Sequence, residues 1–156
     1  MQLLLPLFEV LEPPTKIYDD SMREWQDTDG RRHRDYDLPA AVRLDGYMEW
    51  GQHGELHRAG GKPALIQPDG MMVWIEHNER HREGDLPAVI TADGAQHWFV
   101  RGKRHRENDL PAALRLDGQQ EWWDENDLHR DGGPALIRAD GSCEYWVHGN
   151  RVAVEA

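Results

Sequence analysis

Short apolar runs alternate with turn residues along the chain, in a block that recurs every 24 residues. Within a block, Pro-Ala opens an apolar run, Asp-Gly closes it, and an aromatic residue follows four positions after that glycine. A Gly or Asn stands three residues before each position for the dipeptide His-Arg. This dipeptide marks the five blocks, at His33, His57, His81, His105 and His129. A fixed internal period of this length is typical of a repeat array.

Each block predicts two short antiparallel strands with a turn at either end. Asp-Gly between two strand-like runs is a strong hairpin signal, because glycine adopts the positive φ that tight turns need. The Gly or Asn before the histidine predicts the second turn for the same reason. No stretch has a useful helical period, and the proline before each alanine disfavours a helix. We therefore predict an all-β fold, an elongated antiparallel sheet of tandem β-hairpins with about twelve strands and a length of roughly 55 Å.

Incomplete units flank the array. Residues 1–19 are expected to form a leader or N-terminal cap, and residues 20–156 the five repeats between two half-repeats. The segment 20–25 resembles the part of a block from Asp-Gly to Trp, and Val152 stands where the next histidine is due. Degenerate terminal units are typical of capped repeat proteins.

Equivalent residues of successive blocks should lie about 9.6 Å apart, because each block adds two strands to the sheet. The aromatic positions then form one ladder, and the aliphatic residues three positions after each proline form another. The two ladders share a face or lie on opposite faces according to whether the Asp-Gly hairpins have two-residue or three-residue loops. The aromatic ladder comprises Trp25, Trp50, Trp74, Trp98, Trp122 and Tyr145, and the aliphatic ladder comprises Val42, Ile66, Ile90, Leu114 and Ile137.

We interpret the repeated His-Arg pair as structural, because a catalytic site is needed once and this pair occurs five times. The histidine is expected to hydrogen-bond a turn backbone, and the arginine to pair with a nearby acid while its stem covers a Trp face. The acids nearest in sequence are Asp35, Glu83, Glu107 and Asp131.

Metal, cofactor and catalytic residues are all predicted to be absent. Ladder histidines about 9.6 Å apart cannot converge on one ion at a bond length of about 2.1 Å. A metal site would need the other histidines to reach across the array. These are His53, His77, His97 and His148.

Composition first suggests disorder and then a thin fold. Leu, Ile, Val and Phe together number 30 of 156 residues, and the net charge is −11. Both values lie in the range of disordered chains. The seven Trp residues argue for a folded chain. A thin, repetitive sheet built on Trp satisfies both observations.

Charge and cysteine content restrict the partners and the compartment. With 29 acidic against 18 basic residues, the protein is poorly suited to nucleic acid or to anionic lipid, and better suited to a basic protein. No apolar run approaches the length of a membrane span, and the apolar start lacks the basic segment of a secretory signal. The single cysteine, Cys143, suits a reducing compartment, so a cytoplasmic location is expected.

Two features are not repeated and are therefore better candidates for partner binding. The residue after the ladder aromatic changes from Gly51 and Ile75 to Phe99, Trp123 and Trp146. If that face is exposed, the last three form an aromatic patch that suits an interface; if it faces a second layer or the leader, they are core. An acidic turn near this patch contains Asp124, Glu125 and Asp127.

The full pattern of a block is W-x-x-x-G-x-x-H-R-x-x-x-x-P-A-x-x-x-x-D-G. It resembles the MORN repeat, in particular the bacterial and phage variant of YwqK-like antitoxin components, over about residues 20–152. Arg follows the histidine where MORN repeats usually have Gly. The resemblance implies an elongated, often single-layer sheet of β-hairpins. It also favours a noncatalytic antitoxin, immunity protein or phage-encoded inhibitor that binds a basic toxin such as a nuclease, with a MORN-type scaffold or membrane-surface protein as the alternative.

Overall fold

The fold is a long antiparallel sheet with a row of small hairpins beside it. The computed structural model describes residues 12–18 and 21–153, and these residues form strands and turns without any helix. The main sheet contains β1 (Lys16–Tyr18), β2 (Met22–Glu24), β3 (Ala41–Arg43), β4 (Met48–Glu49), β7 (Leu65–Ile66), β8 (Met72–Val73), β11 (Val89–Ile90), β12 (Gln96–His97), β15 (Ala113–Leu114), β16 (Gln120–Glu121), β19 (Leu136–Ile137), β20 (Cys143–Val147) and β21 (Asn150–Val152). The prediction of an all-β protein dominated by a long antiparallel sheet is confirmed.

Four separate two-stranded hairpins, which we call the side hairpins, complete the described fold. Their strands are β5 (Gly51–Gln52), β6 (Glu55–Leu56), β9 (Ile75–Glu76), β10 (Glu79–Arg80), β13 (Phe99–Val100), β14 (Lys103–Arg104), β17 (Trp123–Asp124) and β18 (Asp127–Leu128). The 13 strands of the main sheet lie in the order β1-β2-β3-β4-β7-β8-β11-β12-β15-β16-β19-β20-β21. Each side hairpin therefore falls, in sequence, between two neighbouring strands of the main sheet.

The hairpins that contain Asp-Gly have three-residue loops. In the hairpin of β11 and β12, Ile90 faces Gln96, and the Thr91 N–H donates to the Ala95 carbonyl at 3.0 Å. Gly94 has a φ of +83° and donates its N–H back to Thr91 at 2.9 Å. This is a turn followed by a left-handed glycine, which a three-residue hairpin requires. The register decides the question that the sequence leaves open, because alternation along the strands then places the aromatic and aliphatic ladders on the same face.

The tryptophan splits each predicted aromatic strand in two. The Trp98 N–H donates to the Ala112 carbonyl at 2.8 Å, while the Trp98 carbonyl accepts the His105 N–H at 3.3 Å. The backbone thus leaves the main sheet at this residue and enters the side hairpin. The main sheet, with 13 strands, is close to the twelve expected, but the side hairpins were not predicted: a repeated unit contributes two strands to the main sheet and two more to a side hairpin.

The side hairpins turn through two-residue loops in which both residues have positive φ. In the unit of Phe99, these are Arg101 at +47° and Gly102 at +80°. Such loops match the twist of the strands that they join. Successive side hairpins are also linked, since the Gly102 N–H donates to the Arg80 carbonyl at 2.9 Å. The row of side hairpins therefore continues along the array beside the main sheet.

The core is thin and lies in the middle of the array. The alanine of every Pro-Ala dipeptide is fully buried, which leaves no room for a larger side chain at these positions. These alanines are Ala40, Ala64, Ala88, Ala112 and Ala135. The central cluster of buried residues comprises Trp50, Ala64, Val73, Trp74, Ile75, Ala88, Val89 and Phe99.

The sheet begins earlier than the half-repeat predicted at residue 20. Strand β1 lies within the segment 1–19 expected as leader or cap, and its three residues are exposed. The remainder of that segment, residues 1–11 and 19, lies outside the described residues. The alternative in which the leader residues Leu3–Leu11 cover the sheet concerns these same residues.

Candidate functional site

One side of each unit carries a repeated cluster, which we call the Trp-Arg corner: the ladder Trp, the Arg of His-Arg, and the loop residue that binds the indole nitrogen. In all five corners the guanidinium carbon lies 3.6–3.9 Å from the centre of the Trp ring. The arginine Nη1 also donates to the carbonyl of the proline in its own unit, at 3.1–3.4 Å. Arginine covers Trp as predicted, but the group over the ring centre is the guanidinium and not the stem that was expected there. The stacked pairs are Arg34 on Trp25, Arg58 on Trp50, Arg82 on Trp74, Arg106 on Trp98 and Arg130 on Trp122.

The loop residue of the corner belongs to the preceding unit. Its backbone carbonyl accepts the Trp Nε1–H; in the unit of Trp98 this acceptor is Asp85, at 3.1 Å. The carboxylate of the same Asp85 accepts from Nε and Nη2 of Arg106 at 2.7 and 2.9 Å. One residue therefore holds both the ring and the cation stacked on it, and a bidentate pair of this kind fixes the orientation of the guanidinium.

The predicted partners of these arginines are wrong. The acids that bind them are Asp37, Asp85 and Asp109, which precede the arginines by 21 residues. Three of the predicted acids instead face histidines, since Asp35 lies 3.3 Å from His33, Glu107 lies 3.4 Å from His105 and Asp131 lies 3.6 Å from His129. Glu83 has no ion pair with Arg82 among the described contacts. The physical reason is that the corner is built between units.

These ion pairs perturb the acids of the corners. The hydrogen bonds from Arg58 lower the pKa of Asp37 to about 2, with Lys62 contributing at 2.5 Å. The pKa of Asp85 and that of Asp109 are also lowered, mainly by the hydrogen bonds from Arg106 and Arg130. All three carboxylates are therefore ionised at neutral pH, and each offsets the charge of its arginine.

The ladder residues differ in exposure. The five Trp rings are buried, whereas Tyr145 at the end of the ladder is 36% exposed. The ladder histidines, which are His33, His57, His81, His105 and His129, are all half-buried. Two of them hydrogen-bond a turn as expected: Nδ1 of His33 and Nδ1 of His129 accept the backbone N–H of His53 and of His148, both at 3.3 Å.

Histidines of neighbouring units meet at the turns of the side hairpins. The rings of His33 and His53 stack with centres 4.1 Å apart, and those of His129 and His148 stack at 4.3 Å. The pair of His57 with His77 is tilted, at 4.5 Å. These pairs are the case that the sequence left open, because each joins a ladder histidine to a turn histidine about 20 positions later, and none joins two ladder histidines.

Three side chains near the C-terminal end come close enough to resemble a metal site. Asp124, His129 and His148 each place one ligand atom within 4.8 Å of the others. The two imidazole rings are nearly parallel, at 7°, so their nitrogen lone pairs run side by side instead of converging. Since metal bonds to histidine measure about 2.0–2.1 Å, one ring would have to leave the stack to complete a site.

The other side of the units carries residues that change from unit to unit, and we call it the variable face. Its first column comprises Glu24, Glu49, Val73, His97, Glu121 and Glu144. Its second column, the residues after the ladder aromatics, comprises Gln26, Gly51, Ile75, Phe99, Trp123 and Trp146. Its third column comprises Arg32, Leu56, Arg80, Arg104, Leu128 and Arg151. The polar members contact one another across the columns, as the following pairs show.

The N-terminal end of the variable face is an ion-pair network of two buried acids and a partly exposed arginine, which was not predicted from the sequence. Arg32 lies 2.9 Å from Glu24 and 2.8 Å from Glu49, and both carboxylates belong to buried residues. Tyr47 donates its hydroxyl to Glu49 at 2.5 Å, and burial raises the pKa of Tyr47 to about 12. The signal in the sequence was the Glu-Trp dipeptide at both units, which places each acid beside the ladder.

The predicted aromatic patch divides between core and surface. Phe99 is 8% exposed and belongs to the central cluster, so the structure places it in the core instead of on a partner surface. Arg80 and Arg104 both lie 5.4 Å from its ring centre. Trp123 and Trp146 are half-buried and donate Nε1–H to acids two residues earlier, Glu121 and Glu144, at 2.9 and 3.0 Å.

The predicted acidic turn lies beside Trp123. Asp124 Oδ1 approaches His105 Nδ1 to 3.0 Å without hydrogen-bond geometry, and Glu125 pairs with Lys103 at 3.0 Å. Asp127 is exposed, and within the described residues it makes no ion pair. Two of the three acids of this turn therefore lie close to a basic side chain, and Asp127 is the one without an ion pair among the described residues.

Comparisons with known proteins leave the family open. No protein-family model matches the sequence, and no curated protein matches it at a significant level. Among the described residues, no helix is long and apolar enough to cross a membrane.

Proposed function

We propose that this protein is a noncatalytic protein-binding repeat protein of the antitoxin, immunity or inhibitor type, with a basic protein as its partner. The observation that carries the proposal is the C-terminal end of the variable face, where the half-buried rings of Trp123 and Trp146 lie near the exposed acid Asp127. Tryptophan rings of this kind are frequent centres of binding energy in protein interfaces.

Apolar side chains are exposed on the opposite, ladder side of this end as well. Strand β20 exposes Tyr145 and Val147, and the final strand β21 exposes Val152, each 36–45% accessible. Strand β21 is the last strand of the sheet among the described residues and its three residues are exposed, so within that part of the chain its outer edge offers backbone groups to a further strand. A partner that covers this end would bury apolar side chains and pair with an open sheet edge at the same time.

Charge supports a basic partner. The protein has a net charge of −11, which accelerates association with a positively charged protein and disfavours an acidic one. The resemblance of the blocks to bacterial and phage MORN variants of antitoxin components favours the same class of function. A toxin that acts on nucleic acid is a suitable partner, because such proteins must themselves be basic to bind phosphates.

The first experiment identifies the partner and tests the aromatic end. The tagged protein is crosslinked in its native host, and the recovered partner is titrated against the wild type and against Trp123→Ala and Trp146→Ala. We expect one specific basic protein, and a loss of affinity of roughly 30-fold or more for each variant, since an interface centre contributes about 2 kcal/mol. Recovery of no specific protein, or unchanged affinity in both variants, contradicts the proposal.

A charge-reversal pair separates the acidic turn from the general charge of the protein. Asp124→Lys with Asp127→Lys should slow association with a basic partner, and the slowing should fade at high salt. Glu76→Lys with Glu79→Lys is the matched control, because these acids occupy the same positions two units earlier. Equal effects of both pairs would show that net charge alone acts. Sedimentation of the wild type with anionic vesicles would instead favour a membrane-surface protein.

A further inference from the structure

A cleft between two neighbouring units collects cationic and unpartnered groups. It lies between the loops 57–62 and 81–86, has Trp74 in its wall, and encloses about 350 Å³. Five buried side-chain atoms of the described residues lack a hydrogen-bond partner, and three of them belong to residues that line this cleft. The three atoms are His57 Nδ1, His81 Nδ1 and Arg82 Nε.

Arg82 differs from its equivalents in lacking an acid at the corner position. The residues that accept the Trp Nε1–H in the five corners are Glu12, Asp37, Gly61, Asp85 and Asp109. Gly61 thus stands where three other corners hold a paired aspartate. Its carbonyl still accepts Nε1–H of Trp74 at 2.7 Å, and Arg82 still stacks on that ring at 3.9 Å. The corner is therefore complete except for the carboxylate.

The place of that carboxylate is open. Gly61 has a φ of +68°, close to the values of +56°, +53° and +54° at Asp37, Asp85 and Asp109. A Cβ built on Gly61 meets no atom within 4 Å. In the complete corners, two oxygens of one carboxylate lie 2.6–3.2 Å from the arginine Nε and Nη2. These corners define where two oxygens from elsewhere would sit against Arg82.

The charges around Arg82 favour an incoming anion. Burial lowers the pKa of Arg82, and within residues 12–18 and 21–153 no carboxylate pairs with its guanidinium. Two other cations of the cleft, Arg58 and Lys62, are already paired with Asp37. The opposing charges are those of Glu76 and Glu83, which also line the cleft.

We propose that this cleft is a carboxylate-binding site, in which Arg82 Nε and Nη2 receive an external carboxylate in the place that aspartate occupies in the other corners. The ligand class is an Asp or Glu side chain, the terminal carboxylate of a peptide or a small carboxylic acid. The site is separate from the C-terminal end of the variable face and does not depend on the function proposed for that end. The site favours a planar ligand group with two acceptor oxygens, because a guanidinium stacked on a ring presents two parallel N–H donors.

Acetate is the probe, and the side-chain Nε–Hε signals of ¹⁵N-labelled protein are the readout. Acetate is titrated at constant ionic strength, with Arg82→Lys used to assign the signal. We expect a saturable shift for Arg82 and roughly tenfold weaker responses from Arg106 and Arg130, because their charge-assisted bonds are already made. Equal responses from all three arginines, or no saturation for Arg82, would overturn the proposal.

Two variants test the site in ways that do not depend on the acetate response of the wild type alone. Gly61→Asp should move the Arg82 signal toward those of Arg106 and Arg130 without acetate and abolish its response to acetate. Asp85→Gly should open the same site at Arg106 and confer a response there, which keeps the proposal testable if Gly61→Asp does not fold. An acetate response that persists in Gly61→Asp contradicts the site. Tighter binding of inorganic phosphate than of acetate would overturn its assignment to carboxylates.

Discussion

The Trp-Arg corners and the variable face solve the same packing problem in different ways. In every corner an arginine lies 3.6–3.9 Å above a tryptophan, whatever the neighbouring residues are. On the variable face, Arg32 joins two buried acids at the N-terminal end, Ile75 and Phe99 pack in the centre, and a tryptophan pairs with Glu144 at the C-terminal end.

The difference follows from what each side must connect. A corner joins two units, because the Trp Nε1–H and the arginine both bind a loop residue of the preceding unit, as Trp98 and Arg106 bind Asp85. Its chemistry must therefore repeat if the array is to continue. The groups of the variable face have partners that differ from unit to unit, so apolar, aromatic and ionic sets can replace one another. We infer that corners hold the fold together and that the variable face gives each unit its individuality.

Removal of a central corner should have the largest effect. Trp98→Ala deletes a buried ring together with its contacts to Arg106 and Asp85, and we expect a loss of about 3–5 kcal/mol in the free energy of unfolding. Equilibrium urea unfolding measures it. Trp98→Phe is the control, since it keeps a ring beneath Arg106 and loses mainly the Nε1 hydrogen bond, at a cost of about 1 kcal/mol. A loss below that of the control would contradict the role of the corner.

The ion-pair network of the variable face should rank second. Arg32→Leu copies the residue of the next unit, Leu56, but leaves Glu24 and Glu49 buried without their cation. We expect a loss of roughly 2 kcal/mol in the unfolding free energy, because unpaired buried charges are costly. Adding Glu24→Gln and Glu49→Gln should recover most of the loss. If the triple variant is no more stable than Arg32→Leu, the network does not act through charge.

A single corner carboxylate should contribute less. Asp85→Asn weakens the exposed ion pair with Arg106 but keeps the backbone acceptor for Trp98, and we expect a loss of about 0.5 kcal/mol. Thermal melts at low and high salt check this, since the loss should shrink as salt rises. Glu79→Gln is a suitable control, as this exposed acid makes no ion pair among the described contacts. A loss for Asp85→Asn that salt leaves unchanged would rule out an electrostatic origin.

Acid should produce the smallest effect. The folded-state pKa of Asp37 is lowered to about 2, so its pairing with Arg58 stabilises the fold above the ordinary pKa of 3.8 and is lost as the pH falls toward 2. The melting temperature of Asp37→Asn should therefore lie below that of the wild type at pH 5, and the gap should close near pH 2. The effect is modest because the side chain is 40% exposed. A gap that persists in acid would contradict this account.

The strand pattern could be predicted from the sequence because its determinants are local. The glycine of each Asp-Gly dipeptide, and the Gly or Asn three residues before each histidine, have positive φ where hairpin turns were expected, as Gly94 and Gly102 show. The break at each tryptophan could not be predicted, since an alternating run gives no sign of where its carbonyls point. At Trp98 the N–H and the carbonyl bind different neighbours, which only the assembled array determines.

The candidate site was predictable where its contacts lie within one unit and obscure where they cross units. The stacking of arginine on tryptophan was expected, and it is observed in every corner. The acids that bind those arginines lie 21 residues earlier, as Asp85 does for Arg106, and residues nearer in sequence were predicted instead. Phe99 shows the same limit, because its buried ring lies near Arg80 of the preceding hairpin as well as near Arg104 of its own hairpin.

Two adjacent tryptophans allow the most direct test of the central claim, that the corners contribute more to the stability of the fold than the exposed end of the variable face does. Trp122 is 6% exposed, lies in a corner beneath Arg130 and donates to the Asp109 carbonyl at 3.0 Å. Trp123, on the variable face, is half-buried. Urea unfolding should show a loss of about 3–5 kcal/mol for Trp122→Ala and only about 1 kcal/mol for Trp123→Ala. Equal losses, or a larger loss for Trp123→Ala, would contradict the account.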